Sequence, residues 1–126
     1  MKRKVLVCGG VSFHDETLFA ETLDAVLDKE NTVIVSGGAR GADSLAEKYA
    51  ADNGIKIKVF PANWNKYGKA AGPIRNKKML EYISDSGNPL VIAFWNGKSR
   101  GTKNTIENAR KMKITTLIVD YREEDS

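Results

Sequence analysis

Arg40, Asp43 and Ser44 follow a glycine pair, Gly37-Gly38, within the stretch TVIVSGGARGADSLA at residues 32–46. Their chemistry suits an anion. A β-branched run that ends on paired glycines can turn sharply through positive φ and leave main-chain N–H groups uncovered. Gly41 and Ala42 then lead into helical spacing, and the first turn of a helix adds unsatisfied donors and the positive end of its dipole. A phosphate fits that position, with the Ser44 hydroxyl as a further donor and Arg40 able to grip it through a forked pair of N–H groups. Asp43 would repel the phosphate, so its place is on ribose hydroxyls or on the loop's own amides. A carboxylate at a helix start is favoured by the dipole even without a ligand. The loop lacks the Gly-Lys-Ser/Thr ending of a P-loop and does not fit G-x-G-x-x-G.

The arrangement recurs twice. An apolar run at Lys4–Cys8 ends in Gly9-Gly10 with Ser12 just beyond, and another at Leu90–Trp95 opens into Asn96–Thr102, which holds Gly97, Gly101 and Thr102. Ser44 and Thr102 can serve a phosphate or cap a helix. Arg75 follows Pro73 at the start of a helix, where a cation is mildly disfavoured. A role toward a ligand accounts for it, with Asn76 supporting it through amide hydrogen bonds. Trp64 and Tyr67, in the irregular segment 61–72, can stack on a base or pin the loop to the body. Trp95 is read as core or cleft wall, and Lys77 and Lys78 as solvated.

The elements that position these residues alternate along the chain. Asp15 is placed to cap a helix whose apolar face is Leu18, Phe19, Leu23, Val26 and Leu27. The helix after Gly41 carries Leu45, Ala46, Tyr49 and Ala50 and stops at Gly54, a left-handed cap. In the third strand, 55–60, Ile55, Ile57 and Val59 alternate with Lys56 and Lys58, which marks a sheet edge. A helix from Pro73 to Ser84 faces Met79, Leu80 and Ile83 inward. The apolar fourth strand is central. A helix at about 102–113 buries Ile106 and Ala109, and Thr115–Val119 forms the fifth strand. Five strand–helix alternations predict an α/β fold with a parallel five-stranded sheet, helices on both faces, right-handed crossovers and strand order 3-2-1-4-5. The chain reverses between strands one and four, and ligands of such sheets bind above the carboxyl ends at that point.

Composition sets the outer limits. A chain of 126 residues with 41% apolar and 29% charged side chains is read as one domain, 1–126, with a frayed acidic tail at about 121–126. No apolar run approaches the ~20 residues of a membrane span, so no membrane is expected. The run Val5–Cys8 is too short for a signal peptide and is read as the first strand. One cysteine, Cys8, excludes an internal disulfide and suits the cytoplasm. It is expected to be a buried, inert thiol. Cys8 and the single His14 cannot build a zinc site, and neither a metal nor a cofactor is predicted. The net charge of +4 favours anionic partners, although the lysines are interleaved with acids instead of forming a dense stripe.

Four stretches together resemble the SLOG superfamily, and within it the small YspA-like, YpsA-related proteins: VLVCGG (5–10), SGGARGADSLAEKYA (36–50), NWNKYGKAAGPIRNKKML (63–80) and AFWNGKSRGTKNTIENARK (93–111). The resemblance implies a Rossmann-like three-layer α/β/α sandwich that binds nucleotides or nucleotide-derived ligands and forms homo-oligomers. The wider group includes phosphoribohydrolases of the LOG type, sensor domains, and DNA-processing proteins of the DprA type that bind single-stranded DNA. In LOG enzymes an arginine and a glutamate carry the chemistry. Here Arg75 matches the arginine and Gly101-Thr102 the phosphate loop, while Thr105 stands at the glutamate position. A hydroxyl there handles water poorly at neutral pH. Glu107 lies about 200° further round the helix and faces elsewhere. Many YspA-like proteins carry Gly-Gly-Arg-Asp after the first strand, whereas this chain reads Gly10-Val11-Ser12.

The expected function is therefore binding of a nucleotide or a nucleotide-derived molecule, as a sensor or sequestering module. Gly9, Gly10, Ser12, Gly37, Gly38, Arg40, Gly41, Ser44, Arg75, Asn76, Gly97, Gly101, Thr102 and Thr105 would surround it, and Asp43 would orient the sugar. The alternatives are an N-glycosidase of the phosphoribohydrolase type with Asp43 or Arg75 in the catalytic role, and single-stranded DNA binding.

Overall fold

The computed structural model describes residues 2–122. Its elements are β1 (Arg3–Gly9), α1 (Glu16–Val26), β2 (Thr32–Ser36), α2 (Ala42–Asn53), β3 (Lys56–Val59), α3 (Trp64–Tyr67), α4 (Ala71–Ser84), β4 (Leu90–Trp95), α5 (Arg100–Lys111) and β5 (Thr115–Asp120). Short 3-10 turns lie at Lys29–Asn31 and Gly68–Ala70. All five strands are parallel in the order β3-β2-β1-β4-β5. The predicted sheet is the observed one.

Strand periodicity divides the core into two layers. Val5, Val7, Ile34, Ile92 and Phe94 point to the side covered by α1 and α2, where they meet Phe19, Leu23, Ala46 and Tyr49. Leu6, Cys8, Val35, Val91 and Ala93 point the other way, onto Met79, Leu80 and Ile83 of α4 and Ile106 and Ala109 of α5. β1 and β4 therefore show unbroken apolar runs because both faces are covered. The outer strands differ. On β3, Lys56 and Lys58 stand exposed between the half-buried Ile57 and Val59, while β5, TTLIVD, carries no lysine.

The local signals read from the chain act largely as expected. Asp15 Oδ1 accepts the Leu18 amide at 3.0 Å and caps α1, and Gly54 ends α2 at φ +65°. Three boundaries move. The segment 61–72 holds α3, a 3-10 turn and the first two residues of α4, so Pro73 is the third helical residue; its missing N–H costs nothing there, since the first four donors have no intrahelical partner. Helix α5 begins at Arg100, and Ser99 is its cap, with Oγ accepting the Thr102 amide at 3.4 Å. Tyr121, read as tail, instead packs its ring 4.7 Å from Phe13, and its amide donates to the Trp95 carbonyl at 3.3 Å. The rest of that tail, residues 123–126, lies outside the described residues.

Candidate functional site

Where β1 and β4 run side by side, Gly9 pairs with Phe94 and the chain departs in opposite directions across the sheet. The Gly10 amide donates to the Phe94 carbonyl at 3.2 Å, and the Gly10 carbonyl accepts from Phe13 and Ala42. An aromatic stack behind it, Phe13 on Phe94 on Phe19 with centroids 4.8 and 4.9 Å apart, ties the loop after β1 to the core. Above these carboxyl ends opens a cleft of about 560 Å³.

Each wall has a different chemistry. Cys8, Gly9 and Val11 form the floor and one edge. From the α2 side come Ala39 and Asp43; from α3 and the turn after it come Trp64 and Lys69. The first turns of α4 and α5 supply the rest, notably Arg75, Asn76, Arg100, Gly101, Thr102 and Thr105. Trp64 is 60% exposed and Val11 63%, although both are large apolar side chains, and both line this one cleft. Exposed apolar surface at a concave site marks a place where something packs.

The loop between β2 and α2 is engaged internally. The buried Asp43 carboxylate accepts the Ala39 amide at 3.1 Å and a bond from the Gly37 amide, and Gly38 N donates to Ser36 Oγ at 3.3 Å. This chain thus sets its own anion on the amides where a phosphate was expected. The Ser44 hydroxyl donates to the Ala39 carbonyl. Arg75 braces the same loop: Nη1 donates to Gly37 O at 2.5 Å and lies 3.5 Å from Phe60 O, and Nε donates to Asn76 Oδ1 at 2.9 Å. Asn76 in turn donates Nδ2–H to Asn104 Oδ1 at 3.3 Å. Arg75 is both strut and cleft wall.

The glycines divide accordingly. A Cβ on Gly37 would overlap the Arg75 guanidinium, and Gly41, at φ +74°, backs directly onto the Gly10 carbonyl and Val11. Those two serve close packing within the protein. Gly101, by contrast, faces open space at the start of α5.

Burial tunes two groups here. It pushes the Asp43 carboxyl up from 3.8 to about 6, against the pull of the Ala39 amide and of Arg75. It also raises the Cys8 thiol far above its usual range, with Asp43 adding to the effect and Arg75 opposing it. Cys8 is 7% exposed and therefore a poor nucleophile.

Of the residues expected at the site, Gly9, Asp43, Trp64, Arg75, Asn76, Gly101, Thr102 and Thr105 line the cleft. Gly10, Ser12, Gly37, Gly38, Arg40, Gly41, Ser44, Gly97 and Tyr67 are not part of that lining; Tyr67 belongs to a separate, smaller cleft. Thr105 is buried with its hydroxyl donating to Gly101 O at 3.3 Å. Lys69 and Arg100 are cleft cations that the sequence reading assigned no role. Arg100 carried a usable signal, since it follows a capping serine and occupies the helix start where a cation is disfavoured, the same argument applied to Arg75. His14 is not part of the cleft lining; its ring Nδ1–H donates to the Ser12 carbonyl at 2.9 Å. Among the described residues no group of three or more His, Cys, Asp or Glu is placed to hold a metal ion.

A parallel three-layer sandwich with its cleft at the sheet's reversal point is a Rossmann-like α/β domain. Residues 3–67 match the YspA, cpYpsA-related SLOG family, and the chain is 32% identical over 122 residues to the Gene 61 protein of Mycobacterium phage D29, covering 91% of this chain and 94% of that protein. The chain belongs to the YspA, cpYpsA-related SLOG family. Its fold is similar to that of DNA processing protein A from Streptococcus pneumoniae, with TM-score 0.73 and 21% identity over 98% of this chain. The match spans 52% of that longer protein.

Proposed function

We propose that the cleft binds a nucleotide or a nucleotide-derived molecule, with its base against Trp64 and its phosphate at the first turn of α5. One observation carries this reading: an exposed tryptophan, the cations Lys69, Arg75 and Arg100 and an uncrowded helix N-terminus converge on a single cleft at the carboxyl edge of the sheet. Trp64 offers a face for a planar ring, with Val11 providing further apolar surface in the same cleft. Lys69 and Arg100 offset phosphate charge, and the N–H groups of Arg100 and Gly101 are among the donors that a helix leaves without intrahelical partners. Asp43 presents a carboxyl for ribose hydroxyls while holding the neighbouring loop.

Binding without turnover is favoured, as in a sensor or a sequestering module, because Thr105 has its hydroxyl committed to the helix backbone. A specific observation favours hydrolysis of an N-glycosidic bond as the second reading: a cleft carboxyl that titrates near neutrality is able to move a proton. The likeness to a DNA processing protein also brings single-stranded DNA into the range of ligands to be tested. The family resemblance extends the proposal to a homo-oligomer, and the single cysteine, Cys8, extends it to a reducing compartment such as the cytoplasm. Among the described residues no helix is long and apolar enough to cross a membrane.

The test is a thermal-shift screen against mononucleotides, dinucleotides, cyclic nucleotides and ADP-ribose derivatives, followed by mass spectrometry of each hit. A ligand at ~100 times its dissociation constant adds about 2.7 kcal/mol of stability. A hit recovered intact, with its shift lost in Arg100→Ala, supports binding. Free base that disappears in Asp43→Asn makes the protein a hydrolase. No shift with any of these probes overturns the small-ligand reading.

A further inference from the structure

A second cleft, about 270 Å³, opens on the far side of Arg75. It lies between the end of β3 and the side of α4 that carries Ala71, Ile74 and Lys78, and Arg75 lines it as well as the main cleft. Its charge is one-sided: Lys58, Arg75 and Lys78 contribute three cations, and no carboxylate is in the lining. Its apolar walls are Phe60, Pro61, Ile74 and the half-buried ring of Tyr67.

The short helix α3 thus presents one aromatic residue to each cleft, Trp64 to the larger and Tyr67 three positions on to the smaller. Each cleft pairs its aromatic with cations, Lys69 and Arg100 in one, Lys58 and Lys78 in the other. The same ring-plus-cation chemistry therefore occurs twice, with a guanidinium between. At about 270 Å³ the second cleft falls below the ~300–1,000 Å³ of self-standing small-molecule sites, which fits an annex to the first.

We infer that the ligand has two nucleoside units joined through phosphate, one unit in each cleft, with the linking phosphate beside Arg75. This rests on the nucleotide reading of the main cleft and narrows it from mononucleotides to dinucleotides or a two-nucleotide segment of a strand. Tyr67 stacks on the second base, and Lys58 and Lys78 join Arg75 in neutralising the linking phosphate.

Calorimetric titration of the full chain with 5′-mononucleotides, with 5′-phosphorylated dinucleotides and with a longer single strand tests this. Dinucleotides should bind at least about ten-fold tighter than mononucleotides. Lys58→Glu combined with Lys78→Glu, both at exposed positions, should abolish that gain and leave mononucleotide affinity unchanged. A longer strand that binds no tighter than the dinucleotide supports a free dinucleotide as the source. Further gain with length, together with a steep fall in affinity with salt, supports a strand laid across both clefts. Mononucleotide binding with no dinucleotide gain, or a gain that survives the double substitution, overturns the second subsite alone. Failure of every probe to bind overturns the nucleotide reading and this inference with it.

Discussion

The Arg75 guanidinium fills the space that a side chain on Gly37 would need, and it donates to the Gly37 carbonyl from there. The two residues are 38 positions apart in the chain, so the glycine after β2 is matched to a helix that folds onto it much later. Gly37→Ala should force the guanidinium out and destabilise the protein by about 1–3 kcal/mol, the usual cost of overpacking. In an Arg75→Ala background the same substitution should cost less, because the guanidinium overlap is gone and only the 3.0 Å approach to Asp43 Oδ2 remains. Denaturant unfolding of the four proteins in the cycle checks the coupling; additive penalties would show that the contact carries no energy.

Asp43 makes stability depend on pH in an unusual direction. Its carboxyl titrates at 3.8 when unfolded and at about 6 when buried beside Arg75, Glu47 and Cys8, so between these values the folded state holds the extra proton. Stability then falls as pH rises through that window, and the loss is complete above it. A shift of that size is worth ~3 kcal/mol. Asp43→Asn keeps an acceptor for the Ala39 amide without the charge, so its stability should stay flat from roughly pH 4 to pH 7 while that of the parent declines. Parallel curves for the two proteins across this range would refute the assignment.

Trp64 should matter for ligand and hardly at all for folding. It is exposed, so Trp64→Ala should change stability by less than about 0.5 kcal/mol. Loss of a stacking face should weaken nucleotide binding by ~1–3 kcal/mol. Fluorescence separates the two tryptophans, since Trp95 is half-buried with its Nε1–H donating to Ser99 O at 3.1 Å. Ligand should quench the Trp64 emission, and Trp64→Ala should remove the quenching.

Cys8 lines the cleft floor yet should stay silent. Burial holds its thiol protonated, so alkylation with iodoacetamide at pH 8 should be negligible in the folded protein and rapid in denaturant. Rapid labelling without denaturant would mean that the floor opens.

The sheet was legible because its signals are local. The strand–helix alternation gives a parallel sheet with right-handed crossovers, the unbroken run at 90–95 marks an internal strand, and Lys56 and Lys58 put β3 outermost, as order 3-2-1-4-5 requires. The cleft was half legible. Glycine pairs announce a turn, but whether the space beside them holds ligand or protein is decided by partners far along the chain, Arg75 for Gly37 and Gly10 O for Gly41. Asp43 hid its role for the same reason, since a helix-start carboxylate reads identically whether it faces a sugar or its own loop. The helical turn at Trp64–Tyr67 escaped notice because four residues carry no periodicity; the only cue was Asn63, whose Oδ1 accepts the Lys66 amide at 3.1 Å and starts the turn.

The two outer strands differ in a way that bears on how copies of the chain can associate. Charged side chains along β3 discourage any further strand from joining there, whereas β5 offers TTLIVD without a lysine. Among the described residues the sheet is therefore guarded by lysines at one rim only. A pair formed rim to rim at β5 would leave lysine-studded rims outward, which disfavours addition of a third copy.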